Sequence, residues 1–307
     1  MPILGIIASQ NYPRIVKGGF VLGGINSSSA KVDTIFKITF STDVTTTLAA
    51  TLSTATAVGA GYASTTNGYL AGGLDSGGST TAVAKLNFSN ESRTNLGTGL
   101  PTGTNGQYSS ASATNGYSIG GAQSGTIISS IQKMLFSTDV FSTSSATTSA
   151  LNNVGASFKS SSNAYCAGGE NSVGGVVTTV DKINFSGDSR TTLATGLAAA
   201  RFLNSGFSSS TAGYALGGWN SAGSALQTDV YKFLFSDDSR TTLATGLPTG
   251  LGYAPQDINS TSAGYFMGGY TGVEVATVYK FTFSDDSRST VSSLPAARRS
   301  ATGFSNV

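Results

Sequence analysis

Along most of the chain, short runs of alternating apolar and polar residues are separated by clusters of Gly, Ser, Asn and Asp, and no window holds an apolar stripe at helical period. Within 35–40, for example, Phe36, Ile38 and Phe40 fall on one face and Ile35, Lys37 and Thr39 on the other, the period of two expected of a strand. Each such run ends in turn-forming residues, so the pattern predicts many short strands joined by tight turns.

The runs recur. Aromatic-x-x-Gly-Gly occurs six times, with the aromatic at Phe20, Tyr69, Tyr117, Tyr165, Tyr214 and Tyr265, at successive spacings of 49, 48, 48, 49 and 51 residues. A polar loop and then a strand ending in Lys-x-x-Phe follow each pair: Lys37/Phe40, Lys85/Phe88, Lys133/Phe136, Lys182/Phe185, Lys232/Phe235 and Lys280/Phe283. Next comes a turn such as Ser-Thr-Asp-Val at 41–44, Ser-Asn-Glu-Ser at 89–92 or Ser-Asp-Asp-Ser at 236–239, then a Thr-rich strand, and a last strand leading into the next Gly-Tyr.

Four strands per unit and six units predict an all-β fold, a six-bladed β-propeller of four-stranded antiparallel blades over residues 17–307, because twisted sheets repeated radially pack face to face. The Gly-Gly pair is expected on an inner strand, where blades crowd the axis. Residues 294–305 repeat the pattern of 197–208, so the chain stops after the first strand of a unit whose second strand begins near Lys17. The C-terminal strand, about 300–307, is therefore expected to complete the first blade. Residues 1–16 stand outside the repeat as an N-terminal segment.

Composition narrows the function. Charged residues make up 10% of the 307, hydrophobic residues 39%, and Gly contributes 40, which fits a Gly-rich all-β domain and not a disordered chain. A net charge of +2 offers no field for nucleic acid. No run approaches the roughly 18 apolar residues of a membrane span, and the opening segment lacks the basic start and long apolar core of a secretory signal. With no His, the Ser-His and Cys-His nucleophiles and all His-containing metal sites are excluded. Cys166, alone, cannot form an intrachain disulfide and occupies a variable small-residue position, as expected of a buried residue. Acidic residues in every turn argue for structure, since an active site needs its groups once, near the axis. No catalytic residue, cofactor or metal is expected.

The six Lys residues have two readings: a ladder pairing each with the turn Asp (or Glu91) of the same or an adjacent blade, or a ring for an anionic ligand. For a partner, the variable loops after Gly-Gly and after the fourth strand should share one rim. They carry Trp219, Asn220 and Tyr270 in the first set and Arg201, Tyr253, Gln256, Asp257, Arg298 and Arg299 in the second. Trp and Tyr beside Asn, Asp and Arg suit a sugar or a protein hot spot. The rim candidates are Trp219, Asn220, Tyr270, Tyr253, Arg201 and Asp257.

Gly-Gly followed by an aromatic strand and a turn into a fourth strand resembles the Kelch repeat, although Leu48, Leu96, Leu193 and Leu243 stand near the usual Kelch tryptophan. The Gly-Tyr-x-x-Gly-Gly … Lys-x-x-Phe-Ser-x-Asp cadence over 17–307 is similar to the Kelch-like propellers of tailed-phage virion proteins, notably of cyanophages. The opening Ile3-Leu4-Gly5-Ile6-Ile7-Ala8-Ser9 looks like the start of phage tail-fibre and baseplate-associated proteins. This resemblance implies a non-enzymatic virion component of the tail, made in the host cytoplasm without a signal peptide. Its partners would be other tail or baseplate proteins and a host-surface glycan, with Ile3, Leu4, Ile6 and Ile7 as the attachment peptide and an oligomer within the virion as one arrangement. The alternative is a secreted or surface lectin-like propeller outside a virion.

Overall fold

The computed structural model describes residues 15–149 and 152–307. It is a six-bladed β-propeller, and among the described residues there is no helix. From the axis outward, blade 1 stacks Thr302–Asn306, Gly18–Leu22, Thr34–Thr39 and Val44–Thr51. Blade 2 stacks Ala60–Ala63, Asn67–Ala71, Val83–Asn87 and Arg93–Asn95. Blade 3 is Tyr108–Ala111, Asn115–Ile119, Ser130–Leu135 and Val140–Thr147, and blade 4 is Ala156–Lys159, Asn163–Ala167, Val180–Asn184 and Ser189–Thr192. Blade 5 is Ser205–Ser208, Ala212–Leu216, Val230–Leu234 and Arg240–Thr242. Blade 6 has three regular strands, Ala263–Met267, Val278–Thr282 and Ser287–Val291, with residues 258–259 bonded in the inner place.

The ring closes as the end alignment requires. Thr302–Asn306 pairs antiparallel with Gly18–Leu22, setting Phe304 opposite Phe20, and all five of its residues are buried.

Apolar residues meet between blades. Phe207, Leu216 and Val230 of blade 5 pack with Phe266, Tyr279 and Phe281 of blade 6, and Phe20, Leu22 and Ile35 of blade 1 with Leu70, Leu86 and Phe88 of blade 2. The repeated aromatics hold the seams. The aromatic of each second strand stacks on the Lys-x-x-Phe phenylalanine of the next blade: Phe20 on Phe88, Tyr69 on Phe136, Tyr117 on Phe185, Tyr165 on Phe235, Tyr214 on Phe283 and Tyr265 on Phe40, with centroids 5.0–5.5 Å apart.

The Lys ladder runs to the adjacent blade at every seam. Lys37 meets Glu91, Lys85 meets Asp139, Lys133 meets Asp188, Lys182 meets Asp238, Lys232 meets Asp286 and Lys280 meets Asp43, at 2.5–3.1 Å. Each ammonium also lies 5.6–5.8 Å from the ring of its own blade's second-strand aromatic. In four seams that aromatic is a Tyr whose hydroxyl donates to the same carboxylate, at 2.8–2.9 Å. Blade 1, with Phe20 in place of Tyr, faces the one Glu of the set.

The Gly-Gly pairs do not lie on inner strands. They end the second strands, with both glycines in the left-handed region (Gly23 at φ 61° and Gly24 at φ 101°), so they turn the chain where a side chain would be strained and would strike the neighbouring loop. Crowding acts instead on the glycine before the aromatic. A Cβ on Gly68, Gly116, Gly213 or Gly264 would enter the ring of Phe304, Tyr62, Phe158 or Phe207 on the preceding blade's inner strand. Blade 4 carries Ala164 at this position, and the preceding inner strand carries Ser110 where four others have a ring and blade 6 has Ile258, which lies against Gly19 of blade 1.

Candidate functional site

Two mouths open on the axis, one beneath the Gly-Gly loops and one among the turns between inner and second strands. The Gly-Gly face is drawn together by a circle of backbone hydrogen bonds. Ser300, Val58, Gly106, Val154, Leu203 and Tyr253, one from each inter-blade loop, each pass an N–H to the carbonyl of the neighbour around the axis, at 2.5–2.9 Å. All six have φ between 49° and 64°. Two are β-branched valines, for which this region is costly, so the closed circle holds strained backbone in place.

Outside this circle stand the residues that follow each Gly-Gly pair: Ile25, Leu74, Ala122, Glu170, Trp219 and Tyr270. Each pairs with the loop that enters the circle, Trp219 opposite Phe202 and Tyr270 opposite Gly252. In blades 5 and 6 this makes an aromatic corner. Tyr253 and Tyr270 meet edge to face at 5.8 Å, and the Arg299 guanidinium lies 5.4 and 5.0 Å from their rings while pairing with Glu274 at 2.9 Å. Burial pushes the Tyr253 hydroxyl up, against the opposing pull of Arg299. Trp219, on the Gly-Gly loop of blade 5, is half-buried and bridged to Leu226, and its indole N–H is buried without a partner within the chain.

The other rim candidates are taken up by structure. Asn220 accepts the N–H groups of Ser224 and Ala225 in its own loop, as Asn26 and Asn171 do at the same repeat position. Arg201 is 5% exposed and turned into blade 5, where it donates to Asp229 at 2.7 Å. Arg298 is 2% exposed, stacks on Phe36 at 3.6 Å and donates to the carbonyls of Gly23 and Thr34. Burial pushes its guanidinium down to about 10. Charged residues in variable loops read as exposed, and their partners, far away in the sequence, draw them inside.

Asp257 lies in the channel. Four positions separate the left-handed residue from the inner-strand residue facing the second-strand aromatic in five blades (Val58 to Tyr62, for instance), but five separate Tyr253 from Ile258. The extra residue bulges at Asp257, φ 56°, and carries 255–257 across the axis. The Gln256 carboxamide accepts from Ser157 N–H and donates to Gly155 carbonyl of blade 4, Asp257 N–H donates to Gly206 of blade 5, and Ser205 hydroxyl donates to Pro255 carbonyl. Asp257, 5% exposed, binds the Lys159 ammonium at 2.6 Å. Sequence spacing carried the signal, 51 residues instead of 48 or 49, but not its destination.

Cys166 is buried with its thiol pushed well up, mainly by burial and then by the Asp181 charge. Among the described residues, no three His, Cys, Asp or Glu groups gather to hold a metal, and no helix is long and apolar enough to cross a membrane. Ile3, Leu4, Ile6 and Ile7 lie outside the described residues.

No protein-family model matches the chain, and no curated protein matches it.

Proposed function

We propose that the chain is a non-enzymatic, Kelch-like component of a tailed-phage virion, associated with the tail fibre or baseplate, whose Gly-Gly face meets a host-surface glycan or a neighbouring virion protein. The observation that carries this reading is the division of labour between the two faces. Val16, whose carbonyl accepts from Asn306, and Val307, beside the inner-strand turns, both stand on the face opposite the Gly-Gly loops. A tether that joins the propeller at Val16 is attached on the face opposite the Gly-Gly loops.

Chemistry that repeats is consumed in the scaffold: six Lys, six turn acids and twelve stacked aromatics hold blade to blade. What remains for recognition is what does not repeat on this face, the cluster of Tyr253, Tyr270 and Arg299 and, on the Gly-Gly loop of blade 5, Trp219. A half-buried aromatic pair with a cation held between its rings offers stacking and directed hydrogen bonding without a nucleophile or an acid–base pair. Quantitative mass spectrometry of purified particles tests the virion reading: the chain should copurify in fixed ratio to the tail proteins, and its absence from intact particles would refute it.

A further inference from the structure

The second mouth, ringed by the turns between inner and second strands, is an open cavity of about 580 Å³. Its floor is one repeat position, the residue opposite the second-strand glycine or Ala164, occupied in blade order by Ser305, Ala63, Ala111, Lys159, Ser208 and Asn259. Methyl groups thus face one side of the floor, at Ala63 and Ala111, and the other four positions carry hydrogen-bonding groups. Two of these have hydrogen-bonding capacity left unspent. Asn259 Oδ1 is buried without a partner, and Lys159, whose side chain is 28% exposed, spends one donor on Asp257. Lys159 is the one charged residue at this position, and its charge is balanced at 2.6 Å by the axial carboxylate. On the wall above, Ser161, Ser210 and Thr261 present hydroxyls at exposed turn tips.

We propose that this mouth is a binding site for a neutral saccharide unit, a hexose or its N-acetyl derivative. A pyranose has an apolar C–H face and a rim of hydroxyls, each both donor and acceptor. It can lay the first on Ala63 and Ala111 and turn the second toward the Asn259 carboxamide and the Lys159 ammonium. The neutralised Lys gives a free anion no net field to enter by, and the volume suits a small-molecule site. The site stands independently of the virion assignment and of Trp219 on the opposite face.

Titration of the full-length ¹⁵N-labelled chain with glucose, galactose, mannose and N-acetylglucosamine, followed by amide NMR shifts, tests it, with sulfate as the anionic control. At least one sugar should shift the amides of Ser160, Ser210 and Asn259 saturably. Asn259→Ala should weaken that binding about three- to tenfold. Ala113→Trp, at an exposed turn tip over the cavity, should abolish it, and Trp219→Ala should leave it unchanged, all three variants melting as the parent. A linked oligosaccharide binding tighter than the free sugar marks a glycan end as the ligand, and equal affinity marks the free sugar. Lack of saturable shifts with every sugar, indifference to Ala113→Trp, shifts confined to the Trp219 face, or a stronger response to sulfate would each overturn the proposal.

Discussion

Lys280 Nζ lies 2.7 Å from Asp43 Oδ2 and joins the last blade to the first across 237 positions of sequence. Asp43 also accepts the Tyr265 hydroxyl at 2.8 Å and sits at φ 54°, so one residue turns the outer hairpin of blade 1 and clasps blade 6. The clasp is three-quarters buried on both sides. Asp43→Asn keeps the left-handed turn and an acceptor for Tyr265 but removes the charge, and should cost about 0.5–1 kcal/mol. Asp43→Ala loses all three and should cost about 1–3 kcal/mol. Urea midpoints of the two variants check the order; equal, negligible losses would show that the clasp is idle.

Closure by the C-terminal strand gives a sharper test. Removing residues 300–307 strips blade 1 of its inner strand and opens the backbone circle at Ser300. The truncated chain should lose cooperative thermal unfolding, read by calorimetry. A truncated chain that melts like the parent would exclude this closure.

The glycine before each aromatic should be intolerant wherever a ring fills its place. Gly213→Ala drives a methyl into Phe158 and should cost about 1–3 kcal/mol or more. Pairing it with Phe158→Ser, which copies the Ser110 and Ala164 combination of the neighbouring seam, should make the methyl tolerable in that background. A double-mutant cycle measures the coupling, and strict additivity would contradict the proposed fit.

Much of this was open to sequence reading. Strand count, closure and Lys–acid pairing follow from residues that recur in register, because a feature present six times must satisfy the same geometry six times. Which blade each Lys reaches did not follow, since the acid of its own turn and the acid of the next blade's turn both recur in register with it, and the repeat is silent about which one it meets. The Gly-Gly pairs were misplaced because close approach and positive φ both select glycine, and spacing alone does not separate them. Arg201 and Asp257 read as rim residues because loop position suggests exposure, while Asp229 and Lys159, which hold them inside, are 28 and 98 positions away.

The tyrosines of four clasps set a pH dependence. Burial first, and then the hydrogen bond donated to the clasp carboxylate, push the hydroxyls of Tyr69, Tyr165, Tyr214 and Tyr265 far above the ordinary 10.0. The folded state therefore keeps protons that the unfolded chain releases near pH 10. The stabilisation is complete below that pH and is lost as the pH rises toward the folded-state values. Tyrosinate absorbance should lag behind free tyrosine above pH 10 and then rise together with loss of the fold. A simple titration centred at pH 10 in the folded protein would be incompatible with these contacts.

The assignment of the Gly-Gly face to recognition is tested most directly by binding of the purified full-length Ala113→Trp chain, whose opposite mouth is blocked, to a glycan array and to whole host cells, with Trp219→Ala added alongside. Saturable binding should be weakened at least severalfold by the added substitution, at unchanged melting temperature. Binding that survives Trp219→Ala intact, or no binding at high protein concentration, would contradict the assignment of this face to a host surface.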